Sequence, residues 1–153
     1  MAAIPQFTAH NGFALPAVGL GTYGLRGQAG ADAVVEGIRG GYRLIDTAFN
    51  YENEGIVGAG VAASGVDRSA LIVTTKLPGR HHASAKARTS IEESRARLHL
   101  DATDLHLIHW PNPSRDLYGE AWRALVNAQR DGLVRKIGVS NFLAAHLERI
   151  EAE

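Results

Sequence analysis

Cysteine is absent from the sequence. That excludes disulfides, thiolate nucleophiles and cysteine-ligated metals, and it fits a reducing compartment, so a cytoplasmic protein is expected. A charge excess is absent as well, because 16 Lys and Arg balance 16 Asp and Glu. Without a net field of either sign the chain has no electrostatic footprint for nucleic acid or an anionic membrane surface. Long apolar runs are missing too: none approaches the ~18 residues of a membrane span. Residues 1–7 carry neither a basic region nor an apolar core, so no signal peptide is expected. What is present is a 153-residue chain with 45% hydrophobic residues, enough for one compact core and a single domain over residues 1–153.

Four segments resemble one another. "YRLIDTA", "ALIVTTK", "DLHLIHW" and "RKIGVSN" are short, apolar and rich in branched residues. None alternates cleanly, which is how a strand buried on both faces reads. Each finishes on a polar group, Asp46, Lys76, His109 and Ser140, at intervals of 30, 33 and 31 residues. Helical patterns fill the gaps. "ADAVVEGIRGG" stops at a glycine pair. "SAKARTSIEESRARL" opens on Ser84 as a candidate N-cap. "GEAWRALVNAQRDG" places Trp122, Leu125, Val126 and Gln129 on one side, and "LAAHLERIEAE" spaces Leu143, Leu147 and Ile150 for another. "ENEGIVGAGVAAS" is a weaker helix with three glycines.

Strand and helix alternating at ~30 residues per unit implies βαβ units and a parallel sheet. Strands are expected at residues 17–20, 43–46, 71–75, 104–108 and 136–139. Parallel connectivity sends every strand C-terminus to one edge, so polar ends scattered in sequence converge in space. In an eight-stranded α/β barrel that edge carries the active site.

"GLGTYG", residues 19–24, also matches the dinucleotide fingerprint G-x-G-x-x-G, with Asp46 following 22 residues later. That motif needs a helix opening within the glycines to hold a pyrophosphate. Residues 25–30 have loop composition instead, and "AVGLGTYG" reads better as a first barrel strand whose glycines let a ligand approach the backbone. Ahead of it, "IPQFTAHNGFALP" reads as a hairpin that turns at His10-Asn11-Gly12, with Asn-Gly a strong type I′ signal, placed to plug the N-terminal face.

Asp, Tyr, Lys and His gathered in one cleft define a chemistry. A carboxylate beside a buried lysine offsets the desolvation of its charge. An ammonium beside a phenol favours phenolate, which makes the phenol a usable general acid near neutral pH. An imidazole can hydrogen-bond the same oxygen and orient a carbonyl. The set suits protonation of a carbonyl oxygen as hydride reaches its carbon. It contains no covalent nucleophile and no evident metal site.

With these residues in view, "GLGTYG", "DTAFNYENE", "TTK", "LHLIHWP" and "IGVSNF" resemble, in order and in spacing, the successive signatures of the aldo-keto reductase family. The resemblance implies an (α/β)8 barrel and NADPH-dependent reduction of small aldehydes or ketones. It places Asp46, Tyr51, Lys76 and His109 on the catalytic tetrad, with Tyr51 as proton donor. It places Gly21, Thr22, Asp46, Ser140 and Asn141 beside the cofactor, and Tyr23, Phe49 and Trp110 in an apolar substrate pocket. The hairpin and the spacing look most like the bacterial branch that includes 2,5-diketo-gluconate reductases. Five strands are visible against the eight of the family's barrel. In the family, the remainder supplies an aromatic stacked on nicotinamide, the clamp on the 2′-phosphate and a C-terminal substrate loop. The complete protein is expected to be monomeric and a five-strand chain to self-associate. An inactive partial barrel, or a cofactor-sensing or scaffold protein of the same descent, stays open.

Each residue alone has a plainer reading. Asp46 could begin a turn, Tyr51 and His109 could be packing residues, and Lys76 could snorkel. Ser140 and Asn141 could cap the last helix, Tyr23, Phe49 and Trp110 could be core aromatics, and Glu54 could serve a helix dipole. The regular spacing of strand ends argues for a site. Among seven histidines, His106 and His109 lie an odd number apart on a strand and point to opposite faces, so they do not chelate one ion.

Overall fold

A computed structural model describes residues 5–152. Ile4, the first residue of the expected hairpin, and Glu153, the last of the expected final helix, lie outside the described residues. The chain opens with β1 (Gln6–Thr8) and β2 (Ala14–Pro16), paired antiparallel. The chain turns at His10-Asn11-Gly12 as expected, but without type I′ geometry. Gly12 N donates to Ala9 O and Ala9 N to Phe13 O, and of the turn residues only Gly12 has a positive φ, +80°. A type I′ turn needs two such residues. Asn11 spends its carboxamide on Phe13 N at 3.1 Å instead. The Lys136 ammonium lies 5.6 Å from the Phe13 ring centroid, which sets the hairpin near the N-terminal half of a sheet strand.

Five strands then form one parallel sheet in sequential order: β3 (Leu20–Gly21), β4 (Leu44–Asp46), β5 (Ile72–Leu77), β6 (Thr103–Ile108) and β7 (Val134–Val139). The registers Gly21↔Asp46, Asp46↔Thr74, Lys76↔Leu107 and Ile108↔Val139 align their C-terminal ends. Each strand is followed by a helix: α1 (Gly27–Arg39), α2 (Glu54–Ala63), α3 (Ser84–Leu98), α4 (Tyr118–Arg130) and α5 (Ala144–Glu151). Sequential order excludes the doubly wound dinucleotide fold, whose strand order reverses beside its first strand.

That exclusion rests on topology, because the loop expected over residues 25–30 is mostly helix. α1 starts at Gly27. Glycine here serves close packing: a Cβ on Gly30 would lie 2.9 Å from Ile56 Cδ1 and 3.0 Å from the Leu25 carbonyl carbon. The first strand also shifts, from residues 17–20 to Leu20–Gly21, because Ala17 N is engaged by Pro5 O of the hairpin.

Two apolar clusters fill the space between sheet and helices. One joins Val34, Ile38, Ile45, Val57, Val73 and Leu98, and the other joins Leu77, Ile91, Ile108, Ala121, Leu125 and Val134. The glycines that weaken α2 as a helix let it sit against its neighbours. A Cβ on Gly58 would come within 2.5 Å of Leu98 O, and one on Gly60 within 2.7 Å of Val34 Cβ. On α4 the buried face is Ala121, Ala124, Leu125 and Ala128, flanked by the half-buried Trp122, Val126 and Gln129. The expected face is thus rotated, since small residues permit the closest approach. Ser84 is the first residue of α3 rather than its cap, and its N and Oγ both donate to Glu120 Oε2 of α4 at 3.1 Å. On α5 only Ile150 is buried, while Leu143 and Leu147 are exposed. Among the described residues, no helix is long and apolar enough to cross a membrane.

Candidate active site

β4 ends on Asp46, and the chain then makes a single 3-10 turn, Phe49–Tyr51, stopped by Glu52 in the left-handed region at φ 54°. Buried hydrogen bonds hold this segment to the end of β3. Thr47 Oγ1 donates to Asn53 Oδ1 at 2.8 Å, and Asn53 Nδ2 donates to Thr22 O at 2.7 Å. Thr22 is wholly buried, and both its N and its Oγ1 donate to Asp46 O at 3.0 Å. Thr22 therefore spends its hydroxyl on the neighbouring strand end. Gly21 is different: a Cβ there would meet nothing within 4 Å. Its bare backbone faces open space at the sheet edge.

Lys76 lies inside β5, one residue from its end, and is 6% exposed. Its ammonium donates to Asp46 Oδ2 at 2.7 Å, to Thr47 O at 2.9 Å and to Tyr51 OH at 3.5 Å. The ammonium's desolvation is thus offset by one carboxylate and two oxygens, and one of those oxygens is the phenol. The Tyr51 ring contacts Tyr23 at 5.2 Å and His109 at 5.8 Å between centroids, both edge to face. His109 follows β6 directly, with its N donating to Leu77 O at 3.0 Å. Burial lowers the His109 pKa and the Lys76 charge lowers it further, against a smaller upward pull from Asp46. The imidazole is therefore neutral at pH 7, and its Nδ1 is buried without a protein partner.

Ser140 N donates to Ile108 O at 2.9 Å, which continues the sheet one residue past β7. Asn141 takes φ 64° and donates from Nδ2 to His109 O and to Ser140 Oγ, both at 2.9 Å. These two residues sit at the site edge and do not cap α5, whose N-cap is Leu143.

The structure thus brings Asp46, Tyr51, Lys76 and His109 together with Gly21, Tyr23, Ser140 and Asn141 at one edge. Tyr23 and Trp110 are 78% and 52% exposed. Phe49 departs from the expected pocket. Its ring contacts His81 at 4.9 Å, and two guanidinium groups lie near its centroid, Arg97 at 4.4 Å and Arg80 at 5.1 Å. Glu54 also exceeds its expected role at the start of α2. It is 1% exposed and accepts from Thr75 Oγ1 at 2.5 Å and Arg97 Nε at 2.8 Å. His106, on the other face of β6, is fully buried beside Thr103 Oγ1 at 3.4 Å, and burial lowers its pKa to about 3.

A consecutive parallel sheet with helices on one side is part of an (α/β)8 barrel, and the Asp–Tyr–Lys–His cluster lies at the C-terminal ends of its strands. The chain belongs to the aldo/keto reductase family, which it matches over residues 17–153. It is 51% identical over 150 residues to 2,5-diketo-D-gluconic acid reductase B of Corynebacterium sp. (strain SHS752001), covering 98% of this chain and 54% of that protein. It is 43% identical over 142 residues to glyoxal reductase of Bacillus subtilis (strain 168), covering 92% and 51%. Among solved structures, an aldo/keto reductase from Brucella melitensis superposes with a TM-score of 0.93 at 38% identity, covering 98% of this chain and 59% of that one. An aldo-keto reductase of Bombyx mori in complex with NADP gives a TM-score of 0.87 at 37% identity, covering 100% and 55%. The chain spans about half the length of the curated relatives it matches.

Proposed function

We propose that residues 1–153 form one domain, the N-terminal portion of an (α/β)8 barrel, and carry the proton-donating machinery of a cytoplasmic, NADPH-dependent carbonyl reductase. The observation that carries this reading is the Lys76 ammonium, which reaches both Asp46 Oδ2 at 2.7 Å and Tyr51 OH at 3.5 Å. NADPH, when bound, supplies the hydride. Gly21, whose face is open, together with Ser140 and Asn141 fits a nicotinamide ring lying across the strand ends. The family relationship and a relative solved with NADP support the cofactor assignment.

The chain's own residues then handle the oxygen. Tyr51 hydrogen-bonds the substrate carbonyl and passes it the phenolic proton as negative charge develops there. Lys76 stabilises the phenolate left behind, and Asp46 keeps the ammonium charged and aimed. His109, neutral at pH 7, orients the carbonyl. Tyr23 and Trp110 flank the mouth. The named activities of two relatives, on a diketo sugar acid and on glyoxal, support small polar aldehydes and ketones as substrates.

Tyr51→Phe tests the assignment in the completed barrel. It removes one proton that is needed in the transition state, so kcat should fall by at least ~10² while NADPH affinity holds. Wild-type turnover in the Phe variant would assign proton donation elsewhere. A scaffold or cofactor-sensing role without turnover is the competing reading. It predicts NADPH binding with no substrate turnover even when the barrel is complete.

A further inference from the structure

We infer that Arg97 is a positioning residue for Tyr51: anchored on the buried Glu54, it clamps the Phe49 ring and so fixes the one-turn segment that carries the phenol. The inference rests on the reading of Tyr51 as proton donor, but its geometry stands apart from that reading.

Glu54 sits in the first turn of α2, three residues after Tyr51, and is 1% exposed. A carboxylate so buried needs partners, and it has two from different elements. Thr75 Oγ1, on the residue before Lys76, donates to Oε1 at 2.5 Å. Arg97 Nε, from the last turn of α3, donates to Oε2 at 2.8 Å. Arg97 Nη1 and Nη2 make looser contacts with Glu93 and Ser94 at 3.4 Å, so the Glu54 bond dominates its orientation. With the guanidinium aimed in this way, its carbon lies 4.4 Å from the Phe49 ring centroid. Arg80 lies 5.1 Å from the same ring and donates to the Asn50 carboxamide, and His81 contacts the ring edge at 4.9 Å.

Phe49 and Tyr51 are the first and last residues of the same 3-10 turn. The ends of this turn are already fastened, by Thr47 and Asn53. Its middle has no sheet partner, and Lys76 meets the phenol only at 3.5 Å, the long end of a hydrogen bond. A small rotation of the turn would break that contact. The Glu54–Arg97–Phe49 chain resists the rotation from the helix side. Because Glu54 also grips Thr75, the strand bearing Lys76 and the turn bearing Tyr51 share one anchor.

The test uses this chain with 3-fluorotyrosine, its four tyrosines assigned by single Tyr→Phe changes. The fluorine resonance of Tyr51 reads the ring's position against Lys76, Tyr23 and His109. Arg97→Met should shift or broaden the Tyr51 resonance and leave those of Tyr42 and Tyr118 in place. Arg97→Lys, which keeps a cation near Glu54 and the ring, should recover most of the original position. Phe49→Leu, which keeps the ion pair but removes the stacked ring, should reproduce the Met variant. Arg88→Met, which cuts exposed ion pairs from the same helix to Glu92 and Asp131, is the control and should leave Tyr51 unmoved. A Tyr51 resonance unmoved in both Arg97→Met and Phe49→Leu overturns the inference, even if both melt earlier, since that is a structural role only. In the completed barrel, Arg97→Met should lower kcat at least tenfold with the KM for NADPH held. If the resonance moves and kcat does not, the positioning stands and the assignment of Tyr51 as proton donor falls.

Discussion

Removing either partner of the Asp46–Lys76 pair should have unequal effects on stability, and the inequality follows from burial. The Lys76 side chain is 8% exposed and that of Asp46 is 37% exposed, with 2.7 Å between the charged atoms. Asp46→Asn keeps the shape and strands an ammonium whose remaining contacts are Thr47 O at 2.9 Å and the phenol at 3.5 Å. Breaking a fully buried pair costs about 3–5 kcal/mol, and because Asp46 is over a third solvated the expected cost is about 2–3 kcal/mol. Lys76→Met removes the costly charge instead, fills the slot with a flexible apolar chain and leaves Asp46 a route to water. Its cost should be about 1 kcal/mol or less. For a domain of this size each kcal/mol moves Tm by roughly 2–4 °C, so Asp46→Asn should lower Tm by about 5–10 °C and Lys76→Met by a few degrees. Urea unfolding at fixed protein concentration and pH 7.5, followed by circular dichroism, gives both values. A Met variant destabilised as much as the Asn variant would refute the claim that the ammonium is the group needing compensation.

Two buried histidines should make the fold acid-sensitive, His82 with its pKa lowered to about 4 and His106, shifted furthest, whose pKa burial lowers from 6.5 to about 3. The unfolded chain takes up the His106 proton below pH 6.5 and the folded chain does not, so the stabilisation is present above pH 6.5 and is lost as pH falls towards 3. By pH 5 the loss is roughly 2 kcal/mol, and His106→Gln should flatten the stability slope between pH 6.5 and 5 by about 1 kcal/mol per unit. An unchanged slope would place the acid sensitivity elsewhere. The 153-residue chain on its own should self-associate, because β3 and β7 are both edges and Leu143 and Leu147 are exposed beside β7. Light scattering that reports a monomer at all accessible concentrations would contradict this.

Much of the site was legible because parallel connectivity converts a linear repeat into a spatial cluster. Asp46, Lys76, His109 and Ser140 recur at about 30-residue spacing and meet at one sheet edge. The hairpin and its turn residues were legible from Asn11-Gly12, though the turn type was not, because only Gly12 takes a positive φ and Asn11 uses its side chain locally. Glycine misled at Gly30, where it permits close packing against Leu25 and Ile56 rather than a loop. The direction of Phe49 could not be read, since a 3-10 turn has no alternation to follow. Glu54 was legible only as a helix-dipole residue, and its ion pair was not. Its partner Arg97 is 43 residues away, so no local pattern joins them. The available signal was a carboxylate opening an otherwise apolar helix, "EGIVGAGVAA".

The central claim is that these residues supply the tetrad-bearing portion of a carbonyl-reducing barrel. Completing the barrel tests it most directly. The chain would be joined in register to the C-terminal half of 2,5-diketo-D-gluconic acid reductase B, its 51% identical relative. NADPH consumption would then be followed with small aldehydes and ketones, for the joined protein, for each half alone and for the joined protein carrying Tyr51→Phe. The account predicts turnover by the joined protein, none by either half, and a loss of at least ~10² in kcat on removing the phenol. A folded joined protein that binds NADPH and reduces nothing, or one whose turnover ignores Tyr51, would contradict it.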